Sequence, residues 1–426
     1  MQRSDLTTRR DRDHDVVVIG TGMTGLLTAA ALAARGAGVL LVEQSRAGAG
    51  QSGRSHGYLH QGYAYRPAEA SLLPLFARAQ QDWAVLLDGL EAQVAESAIA
   101  FSDADEARRA TEFWRSGGLP VIATEPPPWL GAHLGTCFRS QERTYDFGQV
   151  LRLFSRRVRS AGVEWVRGRV ERIVDTGDAV VSEVLGPDGR RTRVSSAAAV
   201  LAAGAGAAEV LARSGLPAAV QCRNAHMLVL RGDLPAVSAV LPEPGNHGLF
   251  LSSRTGHSSG TTWLVSDFQS FDGADAPSHE LPGWWARGVL SVLREAVRPE
   301  VLAGVRLVSG YSATKAGLRP SSGTVSHRLD ARFLGGRLTV TGPSKLTLGP
   351  LAAESAVQAV CSVLGLPAGA VDWASVRGPR RPASPDEHGD APSAYELWET
   401  ALPALKEPDL LGGLPDVRTL SSLYSS

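Results

Sequence analysis

Two histidines, His56 and His60, lie in a segment rich in glycine and serine that runs from Gln51 to Tyr65. A neutral imidazole beside a reacting carbon can accept the proton of a hydroxyl or an ammonium group. The glycines of this segment allow its backbone to lie close to a flat ring. The segment is therefore a candidate for proton transfer, and the alternative is that either histidine hydrogen-bonds the backbone of the loop.

A dinucleotide site is indicated by the stretch Val16–Glu43, whose residue types follow the order strand, glycine turn, helix, strand and acid. Gly20 permits the tight turn, Gly22 lets a pyrophosphate approach the backbone, and Gly25 lets the helix pack on the strand. The helix N-terminus offers partial positive charge and free N–H groups to phosphates. Glu43 is placed to accept the ribose hydroxyls, and its charge would repel a 2′-phosphate.

Composition limits the classes of function that need to be considered. The chain has 426 residues, 43% apolar and 20% charged, with a formal net charge of zero. This length predicts more than one compact core. The charge balance argues against a nucleic-acid partner, and the apolar stretches predict no transmembrane segment. Its three cysteines are unclustered, which predicts neither a metal site nor a disulfide frame and favours a reducing, cytoplasmic compartment.

Hydrophobic periodicity predicts the elements that must position these residues. Apolar residues at helical spacing predict helices over roughly 67–90, 147–162, 281–297 and 351–364. Apolar runs or alternation predict strands at 163–166, 170–174, 179–185, 198–203 and 338–341, with further strands within 221–270. Residues 1–14 have the composition of a disordered leader, and the tail after 377 is predicted to be irregular apart from a short helix over 395–405.

From Asp15 to about Leu364 the chain resembles the D-amino-acid oxidase superfamily of FAD-dependent oxidoreductases. The resemblance is carried by the first βαβ unit, the Arg54–Tyr65 loop, Leu201–Ala207, Gly317–Pro320 and the glycine turn Gly342–Pro350. It implies an α/β fold with a Rossmann-like FAD-binding domain built from discontinuous segments (15–65, 145–215 and 317–376). The second domain implied is an α+β substrate domain with a mainly antiparallel sheet (66–144 and 216–316), followed by a tail (377–426).

The resemblance implies FAD as the cofactor. The residues implied to bind it are Gly20, Gly22, Met23, Thr24, Gly25, Glu43, Gln44, Ser52, Arg54, Ser55, Gly57, Val170, Ala203, Gly204, Gly342, Lys345, Leu346 and Thr347. His56 falls where the dimethylglycine dehydrogenase family joins its flavin covalently. Because related families with similar loops hold FAD without a covalent bond, the non-covalent state is favoured.

The catalytic residues implied by the resemblance are His56, His60, Tyr311, Arg319 and Lys345. Arg319 is similar to the arginine with which glycine oxidases clamp the substrate carboxylate, a contact for which the planar guanidinium is suited. Lys345, and less so Lys315, could promote reaction with oxygen electrostatically. The alternatives are that Arg319 lies on the surface, that Tyr311 is a core residue and that Lys345 is a solvated residue of a loop.

The reaction implied is removal of a hydride from a CH–NH bond of an amino acid, an imino acid or a related amine, which the motif around Arg319 supports. The substrate would be a small molecule bearing a carboxylate, and the electrons would pass to oxygen or to a carrier. The Arg54–Tyr65 loop supports the alternative, oxidation of a CH–OH bond of a 2-hydroxy acid. A second alternative is a flavoprotein subunit without turnover of its own, whose tail docks a partner. The excess of arginine over lysine favours a GC-rich bacterial source and is compatible with secondary metabolism.

Overall fold

The computed structural model describes residues 7–8, 14–65, 67–92, 94, 96–243, 246–257, 260–267, 281–319, 328–343, 345–377 and 418–419. The α-helices are α1 (Met23–Ala34), α2 (Leu73–Leu86), α3 (Ala104–Ser116), α4 (Phe147–Ser160), α5 (Gly206–Arg213), α6 (Gly283–Ala296), α7 (Pro299–Leu302), α8 (Gly349–Leu364) and α9 (Trp373–Arg377). Short 3-10 helices span Ser52–Arg54, Pro67–Leu72, Leu334–Gly336 and Leu346–Leu348.

The strands are numbered along the chain. They begin with β1 (Thr7–Thr8), β2 (His14–Ile19), β3 (Val39–Glu43), β4 (Tyr58–Leu59), β5 (Ser97–Phe101), β6 (Ile122–Thr124), β7 (Thr136–Ser140), β8 (Arg143–Thr144), β9 (Glu164–Arg167) and β10 (Arg169–Asp175). They continue with β11 (Val180–Leu185), β12 (Arg191–Leu201), β13 (Val220–Gly232), β14 (Ser238–Glu243), β15 (Asn246–His257), β16 (Gly260–Asp267), β17 (Val305–Leu318), β18 (Asp330–Phe333), β19 (Leu338–Thr341) and β20 (Arg418–Thr419).

The first large sheet has the order β10-β11-β12-β2-β3-β9, with β1 and β19 also paired to β12 and β18 paired to β19. Strands β2, β3, β9 and β19 run parallel to the end of β12, whereas β10 and β11 form an antiparallel meander. Val16, Val17 and Val18 of β2 are completely buried. Burial of consecutive residues is typical of a parallel strand that is covered on both faces.

Helices α1 and α8 pack against each other on this sheet. Leu26 and Leu27 of α1 belong to the same buried cluster as Ala353 and Val357 of α8. The segment Leu346–Leu364 is, among the described residues, long and apolar enough to cross a membrane by length and composition, but 72% of its apolar window is buried inside the fold. Its apolar surface is thus explained by packing in the core.

The second large sheet has the order β20-β17-β13-β16-β15-β14-β5-β7-β6. It is antiparallel except for the β14–β5 and β17–β20 pairs. Helix α6 packs on it, and Trp285 and Leu293 of this helix share a buried cluster with Trp263 of β16. The mixed α/β fold and the mainly antiparallel second sheet are therefore as the sequence predicts.

Some predicted boundaries differ from the structure. Helix α2 falls in the segment assigned to the substrate domain, yet it packs against α8 and α9 of the first sheet. The reason is that Trp83 is buried there and its indole N–H donates to the carbonyl of Thr347 at 2.8 Å. Strand β17 continues past residue 316 to Leu318. Helix α3 lies in a stretch whose sequence predicts no element.

The two ends of the chain contribute short strands. Thr7 and Thr8, in the segment predicted to be disordered, pair with β12, and His14 already belongs to β2. Arg418 and Thr419, in the tail predicted to be irregular, pair with β17. The helix predicted over 395–405 and the tail as a docking segment lie outside the described residues.

We expect Gly25→Ala and Gly288→Ala to change stability in opposite directions, although both glycines are helical. A Cβ at position 25 would lie 2.0 Å from the carbonyl oxygen of Gly20, whereas a Cβ at position 288 would meet no atom within 4 Å. Overpacking should cost Gly25→Ala about 1–3 kcal/mol. Gly288→Ala should gain about 0.5–1 kcal/mol from helix propensity. Urea denaturation measures both, and equal midpoints would contradict the close contact between Gly25 and Gly20.

Candidate active site

A cavity of about 880 Å³ is lined by residues of both large sheets. From the first sheet it receives Ile19, Glu43 and Thr341, which are the last residues of β2, β3 and β19. Ligands of open α/β sheets bind at the carboxyl ends of the parallel strands. From the second sheet the cavity receives residues of β13, β15, β16 and β17. It therefore has the position expected of a site in which a cofactor from one sheet meets a substrate held by the other.

The glycine turn before α1 is formed by close contacts between backbone segments. Gly20 has φ +99°, and a Cβ there would lie 2.7 Å from the carbonyl oxygen of Ala202. A Cβ on Gly22 would lie 3.2 Å from the hydroxyl of Ser52, which accepts the backbone N–H of Met23 at 3.0 Å. The positive φ of Gly20 agrees with the tight turn that the sequence predicts, and the approach of a pyrophosphate to Gly22 stays a prediction.

Glu43 is fixed at the end of β3 by donors from two loops. Its Oε2 accepts the backbone N–H and the hydroxyl of Thr21 at 2.9 and 2.6 Å. Its Oε1 accepts the backbone N–H of Ser45 at 2.9 Å. Carboxylate oxygens have further lone pairs, so Glu43 can still accept hydroxyl groups of a bound molecule.

Most of the residues predicted to bind FAD meet at this cavity. Those that line it are Gly20, Gly22, Met23, Thr24, Glu43, Gln44, Ser52, Arg54, Ser55, Val170, Ala203, Gly204, Gly342, Lys345 and Leu346. A Cβ on Gly204 or Gly342 would meet no atom within 4 Å, so the space above their backbone is open to a ligand. The lining set and this cradle fit a long dinucleotide such as FAD.

Three further residues of the predicted set support the cavity without lining it. Gly25 packs against Gly20, as described above. Gly57 has φ +79°, and a Cβ there would lie 1.9 Å from the carbonyl oxygen of Tyr145. The hydroxyl of Thr347 accepts the backbone N–H of His60 at 2.9 Å. These residues hold the turn and the histidine loop in place.

The histidine loop is attached to β15, and its hydrogen bonds define the state of His56. The His56 carbonyl accepts from the guanidinium of Arg254 at 2.9 Å and from the hydroxyl of Ser252 at 3.0 Å. Nδ1 of His56 lies 3.2 Å from the backbone N–H of Tyr58, which donates to it. A neutral His56 must then have its proton on Nε2. His56 is thus arranged as a hydrogen-bond donor towards a ligand.

Both histidines are neutral near neutral pH. Burial, followed by the charges of Lys315, Arg254 and Lys345 in that order, lowers the pKa of His56 to about 3. Burial also holds the pKa of His60 well below its usual value, with contributions from His56, Lys345 and Lys315. A neutral His60 can accept a proton, as the sequence analysis predicts for this pair.

Lys315 of β17 and Lys345, just before the 3-10 helix Leu346–Leu348, both line the cavity. Burial lowers the pKa of Lys345 to about 8, although the charge of Glu69 raises it in part. Burial, followed by the charges of Lys345 and Arg223, holds the pKa of Lys315 well below its usual value. Within the described ranges neither ammonium group has a carboxylate within 4.0 Å. The Lys345 ammonium lies 4.8 Å from the centre of the Tyr65 ring.

Arg319 is not brought to this site, contrary to the role implied by the sequence. It is exposed and absent from the cavity lining, and its Nε donates to the carbonyl of Val220 at 3.4 Å. Arg319 shares the alternation of Tyr311 and Lys315, but β17 ends at Leu318. Tyr311 does line the cavity, and its hydroxyl donates to the carbonyl of Arg54 at 3.0 Å.

Several site residues have no clear signal in the sequence. Arg254 lies in β15, and alternation alone does not show that its side chain reaches the histidine loop. His226 of β13 lines the cavity, with its Nδ1 2.6 Å from the hydroxyl of Ser312. Asp267 lines it too and accepts the indole N–H of Trp285 at 2.9 Å. Period-two alternation predicts the strands of this sheet but does not show which strands become neighbours.

Comparison with known proteins gives one family and a common fold. The family described as "DAO: FAD dependent oxidoreductase" matches residues 15–359. The fold is similar to glycine oxidase from Geobacillus kaustophilus, with TM-score 0.67 and 18% identity over 82% of this chain and 95% of that one. It is also similar to an FAD-bound L-α-glycerophosphate oxidase from Mycoplasma pneumoniae, with TM-score 0.66 and 13% identity over 82% of this chain and 94% of that one.

A shorter match concerns one component of the anaerobic glycerol-3-phosphate dehydrogenase of Escherichia coli. The two sequences are 42% identical over 65 residues, which make up 15% of this chain. The match spans only 12% of that relative, so it describes a local segment.

We expect Glu43→Gln to weaken FAD binding. The amide of glutamine is uncharged and has one acceptor oxygen, whereas the carboxylate is charged and has two. Loss of a hydrogen bond to a charged group costs about 1.5–3 kcal/mol, or roughly 10- to 100-fold in Kd. Fluorescence titration of the apoprotein with FAD measures this Kd. Glu183→Gln is the matched control, since Glu183 pairs with Arg172 and Arg193 outside the cavity. Equal affinity of the two variants would contradict the role of Glu43.

Proposed function

The chain belongs to the family of FAD-dependent oxidoreductases, and from that premise we propose that it oxidises the CH–NH bond of a carboxylated amine, that is, an amino acid or an imino acid. It is an enzyme whose cofactor is FAD. When bound, FAD supplies the hydride acceptor. The protein must therefore bind the substrate, orient its C–H bond and remove a proton from its nitrogen.

The observation that carries the proposal is the pair of lysines that line the cavity. The charge of Lys345 disfavours an ammonium on Lys315, and within the described chain no carboxylate lies within 4.0 Å of either group. Glu69 raises the pKa of both lysines only in part, so a substrate carboxylate near them would supply further negative charge. Its binding would raise the pKa of both lysines and so stabilise their charged forms. The pair thus takes the role that the sequence analysis gives to Arg319.

The same positive charges favour the reactive form of an amine. A cation near an ammonium group lowers the pKa of that group. Only the neutral amine has the lone pair that assists the departure of a hydride from the adjacent carbon. Neutral His60 in the cavity lining can accept the proton released from the nitrogen. The same positive charges then bind the carboxylate of the substrate and lower the pKa of its ammonium group.

Oxidation of a CH–OH bond of a 2-hydroxy acid is the second candidate. The segment that is 42% identical to the E. coli glycerol-3-phosphate dehydrogenase component supports it. Neutral His60 could accept the proton of a hydroxyl in the same way, and a 2-hydroxy acid also has a carboxylate. What favours an amine is that the cationic surroundings help an amine to lose its proton before the hydride leaves.

A substrate panel tests the proposal directly. Anaerobic mixing of the FAD-loaded enzyme with amino and imino acids should bleach the flavin absorbance, and mixing with the matching 2-hydroxy acids should not. Alanine against lactate, and phenylalanine against 3-phenyllactate, are matched pairs that differ mainly in the reacting heteroatom. Bleaching by the hydroxy acids alone would overturn the amine assignment and leave the second candidate.

The lysine pair predicts a specific loss of substrate binding. We expect Lys315→Met and Lys345→Met each to raise KM for a carboxylated substrate roughly 10- to 100-fold, because a charged hydrogen bond worth about 1.5–3 kcal/mol is removed. The wild-type KM should rise as the pH increases through about 8, since Lys345 is charged below its pKa and neutral above it. Arg319→Met is the deciding comparison. If its KM rises while both lysine variants keep theirs, the clamp is the arginine and not the lysine pair.

A further inference from the structure

A buried carboxylate lies behind His60, outside the lining of the cavity. Glu142 lies in the turn between β7 and β8 and is completely buried. Its Oε1 accepts the backbone N–H groups of Gln61 and Gly62 at 2.6 and 3.2 Å. The carboxylate therefore fixes the two residues that directly follow His60, and it does so from a different part of the chain.

The same oxygen lies close to one nitrogen of the histidine. Glu142 Oε1 is 4.0 Å from Nδ1 of His60. Among the described residues, Nδ1 of His60 and Oε2 of Glu142 are buried atoms that have no hydrogen-bond partner. A buried polar atom without a partner is costly. A small movement of either side chain would let an Nδ1–H group of His60 donate to the carboxylate and would give this buried nitrogen a partner.

We propose that Glu142 is a positioning residue that keeps the proton of neutral His60 on Nδ1, so that Nε2 accepts the proton of the substrate nitrogen. In this step the substrate N–H bond breaks, its electron pair stays on nitrogen, and a new N–H bond forms at Nε2. The imidazolium that results faces the carboxylate of Glu142, which stabilises its charge. The inference rests on the proposed function only in that His60 is the proton acceptor.

The surroundings of His60 explain why a nearby carboxylate is required. The ring stacks on Tyr58 at 5.0 Å and contacts Tyr65, Phe76 and Phe250. The charged or titratable groups that act on it are His56, Lys315 and Lys345, and all of them disfavour an imidazolium. Glu142 is the carboxylate that the described residues place within 4.0 Å of this ring. Without Glu142, an imidazolium on His60 would lie among aromatic rings and positive groups that disfavour its charge.

The proposal gives the reaction a specific dependence on pH. The pKa of Glu142 is raised to about 7, because the effect of burial exceeds the opposite effect of the backbone N–H groups of Gln61, Gly62 and Tyr63 and of the Tyr58 hydroxyl. Glu142 is therefore protonated and without charge below about pH 7, and it is a carboxylate above that pH. Since only the carboxylate supports the imidazolium, kcat/KM of the wild-type enzyme should rise as the pH increases through about 7.

Glu142→Gln tests the role of the charge with little change of shape. The amide oxygen can still accept from Gln61 and Gly62, but the side chain has no negative charge at any pH. We expect kcat/KM to fall roughly 10- to 100-fold, which is a part of the about 100- to 10,000-fold that general base catalysis usually contributes, and the rise near pH 7 to disappear. Glu142→Asp keeps the charge, so it should keep the rise near pH 7 at a reduced rate. A Glu142→Gln profile that keeps the wild-type rise would overturn the proposal.

A second readout does not depend on turnover. In protein with ¹⁵N-labelled histidine, the two nitrogen shifts of His60, assigned with a His60→Gln sample, report which nitrogen has the proton. We expect the Nδ1–H form in the wild type at pH 8 and loss of that preference in Glu142→Gln, with a denaturation midpoint no lower than that of the wild type. An unchanged tautomer would overturn the proposal even if activity fell. If the panel instead shows that hydroxy acids are the substrates, the tautomer and the pH profile still decide the role of Glu142 separately.

Discussion

Removal of water from basic groups is the interaction on which the chemistry of this cavity depends. His56, His60, Lys315 and Lys345 all have a lowered pKa, and burial is the first cause in each case. In water both lysines would be charged, and a bound anion would change their pKa only slightly. Behind two packed sheets they respond to any negative charge that enters. Packing of the two sheets thus excludes water from the cavity, and charges inside it act more strongly on the buried basic groups.

Two groups to which we assign a role in the reaction, Glu142 behind His60 and Lys345 in the cavity lining, have pKa values that lie close together. Glu142 becomes a carboxylate above about pH 7, and Lys345 stays an ammonium below about pH 8. The interval in which both are charged is narrow and falls near physiological pH. The two groups come from different sheets, because Glu142 follows β7 of the second sheet and Lys345 follows β19 of the first. We therefore expect the pH range of the enzyme to depend on how the two sheets are joined.

How much of this site the sequence predicts depends on whether the information is local. The positions of Gly20, Gly22 and Glu43 follow from a single βαβ unit, in which spacing determines geometry, and all three line the cavity, while their roles towards FAD stay predictions. A short motif predicts that Arg319 reaches the site, but its side chain is exposed and donates to the carbonyl of Val220. The motif does not report the direction that a side chain takes at the end of a strand. Glu142 has no local signal, because its partners are residues 61 and 62. Such contacts depend on which distant strands pair with each other, and this pairing cannot be predicted from a single sequence.

The bond between the His60 backbone and the Thr347 hydroxyl joins residues that are 287 positions apart in the chain. During synthesis the ribosome must therefore produce most of the polypeptide before this histidine acquires its final surroundings. Contacts of such separation form slowly, since a long loop must close first. A nascent chain can complete its first βαβ unit early and yet remain unable to enclose its cofactor. FAD can therefore take its functional position only late in folding, after most of the chain has left the exit tunnel.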